Sequence, residues 1–440
     1  MDELLFRLPP PSNNESSDGH KKAAPRVLTP NRDQIELRSV DLEGLLPADH
    51  RARIVWDFVE RMDLGPLYAE IRAVEGHSGR PAIDPRIMMA LWLFATIEGI
   101  GSARALNRMT QEHDAYRWIC GGVSVNYHTL ADFRVDHGEF LDGQLTASTA
   151  ALMSLDLVEL NRVAQDGVRV RASAGAASFR RKSTLEECLE EAEAQVEALR
   201  KELEDDPSAT SRRQKAARER AAQERKRRVE EALAKLPEVE AKKKAAEKQK
   251  ARVSTTDPDA RVMKMADGGF RPAFNIQFST DVESQVITGV DVSNSGSDQG
   301  QLAPMVEQNC DRYGRCPVES LVDGGYARLD DIDAATAMGT TVLMPVPQPR
   351  DETRDPHVRR PGDSDPVAQW RERMGTEEAK QAYKDRASTA ECVNAIARNR
   401  GLRQFLVRGR QKVKAVVLWY ALAHNMMRIA RFLSADLAPA

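Results

Sequence analysis

The stretch Ser320-Leu321-Val322-Asp323-Gly324-Gly325-Tyr326 reads as a short buried strand that ends in a carboxylate and then turns. Apolar residues lead into Asp323, and the glycines after it let the backbone turn and leave room beside the acid for a ligand. A turn acid or a helix cap has the same local signature. Working outward, Asp166 occupies comparable ground within Val163-Ala164-Gln165-Asp166-Gly167-Val168-Arg169-Val170. There Val163, Val168 and Val170 predict a strand over 161–173. A charged residue inside an apolar strand is costly unless it is paired or metal-bound.

The elements between and after these acids alternate in period. Phe274, Ile276 and Phe278 mark a strand over 274–280, and Val286, Thr288, Val290 and Val292 mark another over 286–292, with 281–284 as the hairpin turn. A helix is expected over 301–313, a strand over 340–346, a Pro/Arg/Asp-rich loop over 351–366 and mainly helix over 376–432. Glu391 lies near the start of a helix expected over 388–397, where Glu391, Asn394 and Arg398 follow i, i+3, i+7 spacing and share a face. The same spacing describes an ordinary surface stripe. The fold class is α/β (α+β), a mixed sheet flanked by helices.

Two helical segments frame or interrupt this pattern. From about 45 to 140, Pro85 follows Asp84 as N-cap of an apolar helix over 87–96, and Ser102 opens the next, with Leu106 and Met109 on one face. A further helix carries Thr129, Leu130, Phe133 and Arg134; the set suits either a helix-turn-helix reader or a plain helical domain. Between the first strand and the hairpin, Leu185, Leu189, Ala192, Val196, Leu199 and Leu203 form a coiled-coil seam. A break at Asp205-Asp206-Pro207-Ser208 and a second helix from near Ser211, with Ala222, Val229, Leu233 and Leu236 in its seam and Lys226 spoiling one position, predict an antiparallel hairpin over 183–253. Its 18 basic and 17 acidic residues over 184–252 nearly cancel, which suits a solvated spacer as well as a DNA or subunit contact.

A length of 440 residues predicts about two or three domains. The formal net charge of −3 is not that of a general polyanion binder, but it hides a local excess. Between Lys380 and Lys414 ten basic residues face only Asp385 and Glu391. The five cysteines are scattered with no Cys-x-x-Cys pair, so neither a disulfide framework nor a zinc site is expected. The polar, Pro-containing start has no basic n-region or apolar h-region, and no apolar run approaches the ~20 residues of a membrane span. These features predict a cytoplasmic protein with reduced thiols.

In the order strand Asp166, β-hairpin, helix, strand Asp323, helix Glu391, the chain resembles the RNase H-like core of bacterial insertion-sequence transposases of the DDE group. Ser254-Thr255-Thr256-Asp257-Pro258-Asp259-Ala260-Arg261, Asn275, Asp323-Gly324-Gly325-Tyr326 and the stretch 370–424 resemble strings of that family. Tyr383-x2-Arg386-x4-Glu391-x6-Arg398 is similar to its Tyr, Arg, Glu, Lys/Arg signature, with a gap of four residues before the acid where three is common. The resemblance implies that Asp166, Asp323 and Glu391 hold two Mg²⁺ or Mn²⁺ ions and catalyse cleavage at transposon ends and strand transfer. It implies DNA contacts by Tyr383, Arg386, Asn394, Arg398, Arg400, Arg403, Arg408, Arg410 and Lys412.

The implied organisation is an arm (1–44), a helical domain recognising terminal inverted repeats (45–145), a catalytic core (155–182 and 254–432) split by the hairpin, and a tail (433–440). The implied partners are double-stranded DNA and further copies of the chain, as a homodimer or higher oligomer. A nuclease without strand transfer, or an inactive DNA-binding derivative, would carry the same acids. Asp257 and Asp259 are expected to cap a loop rather than to help line the site, Asp281 and Asp291 to serve turns, and His424 to be a satisfied core residue.

Overall fold

Strand β1 (Arg162–Arg171) alternates across a sheet whose other members come from the second half of the chain. The computed structural model describes residues 41–74, 76, 81–205, 212–349, 351 and 353–436. Most of the expected arm, the residues 206–211 at the hairpin turn, Ser211 included, and the last residues of the tail lie outside them. Strands β2 (Phe179–Arg180) and β3 (Val253–Ser254) form a separate two-stranded ladder. Strands β4 (Arg261–Lys264), β5 (Phe270–Asp281), β6 (Ile287–Ser293), β7 (Glu319–Leu321) and β8 (Thr341–Leu343) complete the main sheet. Its order is β4-β5-β1-β7-β8, with β6 also on β5; β5 runs antiparallel to β1, whereas β7 and β8 run parallel to it. This is a mixed sheet of RNase H-like kind.

The register sorts the side chains. Asp166 lies opposite Phe278, Val168 opposite Ile276 and Val170 opposite Phe274, so these share one face. Gln165, Gly167 and Arg169 share the other with Ser279, Gln277 and Asn275.

Helices α1 (Arg51–Glu60), α2 (Gly65–Ala69), α3 (Pro85–Ile97), α4 (Ala103–Glu112), α5 (Asp114–Cys120), α6 (Tyr127–Asp136) and α7 (Gly138–Ser154) precede the sheet. As the sequence predicts, Pro85 opens α3 while Asp84 accepts from the N–H of Arg86 at 2.8 Å, and the Ser102 hydroxyl caps α4. Helix α8 (Lys182–Asp205) and α9 (Arg212–Ala241) form the inserted hairpin. Ala192 and Val229 are buried in its seam, and the misfit Lys226 turns its ammonium to Glu193 at 3.0 Å. At its root Leu185, Ala232 and Leu236 pack on Ala251 and Val253.

The remaining helices are α10 (Leu302–Tyr313), α11 (Leu329–Ala337), α12 (Asp365–Met374), α13 (Glu377–Tyr383), α14 (Cys392–Asn399) and α15 (Arg410–Asp436). Helix α15 carries an unbroken buried apolar run, Ala415 to Ala423, and packs against α3, α6, α7 and β6. One continuous core therefore runs from Leu91 and Trp92 through Trp419 to Phe278 and Val290.

Three expectations need correction. Cys310 at the end of α10 is disulfide-bonded to Cys316, closing the turn into β7; the wider Cys-x5-Cys spacing is readable only once a helix end folds back. Cys120, Cys188 and Cys392 are free thiols. The helix expected over 388–397 starts instead as a π-helical turn, Ala387–Glu391, before α14 begins. Asp291 serves no turn, since it lies within β6 and faces Arg410 at 3.6 Å. Asp281 does serve one: its Oδ2 accepts from the N–H and hydroxyl of Ser284. Among the described residues no helix is long and apolar enough to cross a membrane.

Candidate active site

Asp166 and Asp323 sit on the parallel neighbours β1 and β7, Asp166 mid-strand and Asp323 just past the strand's end. The Asp166 carboxylate accepts from the Gly167 N–H at 2.9 Å and from Asn394 Nδ2 at 2.9 Å. Burial, and next to it the like charge of Asp323, push its pKa up, while the Arg386 guanidinium opposes them. Asp323 accepts from the Gly325 N–H at 2.7 Å, which fixes the turn that follows the strand.

Glu391 arrives by a different route. The π-helical turn carries i→i+5 hydrogen bonding, so residues five apart come onto one face. Arg386 donates to Glu391 Oε1 across that interval at 3.2 Å. The one-residue excess between Arg386 and Glu391 is thereby absorbed inside the helix. Thr389, buried within this turn, accepts from Gln285 Nε2 at 3.0 Å, and Arg162 ties Asp385 to Glu319 of β7.

The face foreseen for α14 divides. Asn394 turns inward to Asp166, Glu391 outward to Arg386, and Arg398 lies exposed. Tyr383 is half-buried beneath Arg386, whose guanidinium carbon lies 5.9 Å from its ring centre. Arg403, Arg408, Arg410 and Lys412 are exposed, but Arg400 is half-buried, and burial lowers its pKa. The Arg400 main chain, not its guanidinium, accepts from Tyr420. Basic Arg134 is buried over the Trp92 ring at 4.7 Å and donates to the Gly101 carbonyl.

Sequence reasoning missed what lies behind Asp166. On the opposite face of β1 the Asp298 carboxylate accepts from Asn275 Nδ2 at 2.7 Å and Gln277 Nε2 at 2.8 Å. Gln277 Oε1 in turn accepts from Tyr326 and from Gln165 Nε2. A side chain at Gly167 would overlap Asp298 and come within 2.5 Å of Gln277 Nε2. The signal was present: Asn275, Gln277 and Ser279 alternate within a strand read only for its apolar face. Asp257 and Asp259 do cap, but at long range, accepting from the N–H groups of Gly409 and Arg410 that start α15. His424 is a satisfied core residue, bonded to the Gln285 carbonyl at 2.7 Å.

The donor set suits a hard cation. Asp166, Asp323 and Glu391 offer carboxylate oxygens of the kind such a cation takes, and the buried Asn394 Oδ1 has no hydrogen-bond partner. Among the described residues no three acids, histidines or cysteines converge on a single point, and Glu391 is engaged by Arg386.

Residues 40–136 match the model of a transposase domain (DUF772), and residues 350–430 match that of a transposase DDE domain. No curated protein and no solved structure matches the chain. The second match contains Tyr383, Arg386, Glu391 and Asn394, and the first covers the helices from α1 to α6. With the RNase H-like sheet between them, these matches support the assignment of the chain to the insertion-sequence DDE transposases.

Proposed function

We propose that the chain cuts and rejoins DNA at transposon ends, with Asp166, Asp323 and Glu391 as its catalytic acids. The observation that carries this reading is that Asp166 and Asp323 stand on neighbouring parallel strands, with the charge of Arg386 felt by both while its guanidinium binds Glu391 from the π-helical turn. Two Mg²⁺ or Mn²⁺ ions held there would supply an activated attacking oxygen and stabilise the leaving oxygen. The residues of the chain do the positioning. Asn394 and the Gly167 N–H orient Asp166, leaving lone pairs on both oxygens, and the Gly325 N–H orients Asp323.

Arg386 and Tyr383 lie where a scissile phosphate would approach. The exposed Arg398, Arg403, Arg408, Arg410 and Lys412 would carry flanking backbone phosphates. Arg400 and Asn394 drop out as DNA contacts, one half-buried and the other bonded to Asp166. In this reading the helices over 45–145 recognise the terminal repeats, 155–182 with 254–432 form the catalytic core, and copies of the chain pair on DNA in the cytoplasm.

The test is a cleavage and strand-transfer assay on labelled terminal-repeat DNA with Mg²⁺. Asp323→Ala is expected to lose both reactions while retaining DNA binding. Unchanged activity in that variant would overturn the triad. Cleavage without joining by the wild type would point to a nuclease, and binding with neither reaction to a DNA-binding derivative.

A further inference from the structure

The Arg386 guanidinium already lies among the groups that would hold metal. It donates to Glu391 Oε1 at 3.2 Å and is attracted by Asp166 and Asp323 as well. Its side chain is only 14% exposed, Tyr383 backs it, and its Nη1 is buried without a hydrogen-bond partner. Without a positive charge here, the Asp166 and Asp323 carboxylates would act on each other uncompensated in a partly desolvated site, with Glu391 at its exposed edge, an arrangement that mutual repulsion opposes. A divalent cation would satisfy the same three acids with twice the charge. It cannot do so while Glu391 is turned to Arg386.

We propose that Arg386 is a built-in counter-cation that competes with divalent metal for Asp166, Asp323 and Glu391. Metal entry and release of the guanidinium toward a DNA phosphate are then one coupled event. The inference rests on the metal-site reading above. By linkage, whatever offers Arg386 another partner raises the affinity for metal, and metal raises the affinity for that partner. A backbone phosphate is such a partner.

The experiment is a calorimetric titration of the DNA-free full chain with Mn²⁺. Arg386→Met, which removes the charge and keeps the bulk, is expected to bind Mn²⁺ about tenfold or more tightly than wild type. Lys384→Met, which removes an equal charge from an exposed neighbour, is expected to match wild type. Arg386→Lys, whose shorter ammonium holds Glu391 less well, should fall between, and it keeps the test alive if Arg386→Met does not fold. Affinity unchanged or weakened in both Arg386 variants, with binding abolished by Asp323→Asn, overturns the competition and leaves the metal site standing. Binding indifferent to both Asp323→Asn and Arg386→Met overturns the metal site too.

Discussion

His424 shows how a single side chain can matter without touching the chemistry. It is a residue of α15 buried against the turn between β5 and β6, and burial pulls its pKa from 6.5 down to about 4. The unfolded chain takes up a proton as pH falls through the usual histidine range, whereas the folded chain does not until about pH 4. Stability is therefore present above pH 6.5 and is lost on acidification between those values, by up to about 3 kcal/mol. Melting temperature measured from pH 7.5 to 4.5 should fall less steeply for His424→Gln than for wild type; parallel curves would refute this. Gly167 makes the opposite point, since the space for even one methyl group is filled by Asp298 and Gln277. Gly167→Ala should cost about 1–3 kcal/mol in urea denaturation.

Among the elements, α15 does the most joining. Asn425 donates to the Ile287 carbonyl and accepts from its N–H, both at 2.8 Å, and so stands in for a missing strand at the start of β6. Asn425→Leu leaves both buried backbone groups unpaired and should cost about 2–4 kcal/mol; a loss under 1 kcal/mol would mean that water replaces the amide. The strands and helices were legible because their periodicity is local: Asp166 among valines, Asp323 before two glycines, Asp84 before Pro85. What escaped was set by partners distant in sequence. The π-helical turn before Glu391 has its buried Thr389 bonded by Gln285, about a hundred residues away, and Asp298 becomes important only when β5 lies beside β1. Arg400 reads in the sequence as one of a run of DNA-contacting arginines, yet the fold half-buries it, with Tyr420 donating to its main-chain carbonyl.

At the scale of the whole molecule, the helical region and the mixed sheet share one core through α15, so a change in either is felt by the other. The hairpin stands apart from that core. Its root is closed by the β2–β3 ladder and by Leu185, Ala232, Leu236, Ala251 and Val253, while Lys235 reaches the Asp259 that caps α15. Replacing residues 194–223 by about four Gly/Ser residues, enough to span the roughly 10 Å between paired helices, should shift the melting temperature by no more than a few degrees. A collapse of folding would show that the outer hairpin stabilises the body. The ladder gives the insertion the character of a stem: chain leaving at Phe179 is returned to within one strand spacing at Ser254. Loop-closure entropy changes by only about 0.6 kcal/mol for each doubling of length, so beyond such a stem length is nearly neutral. Evolution could thus lengthen, shorten or exchange the outer hairpin while the acids of the sheet kept their places.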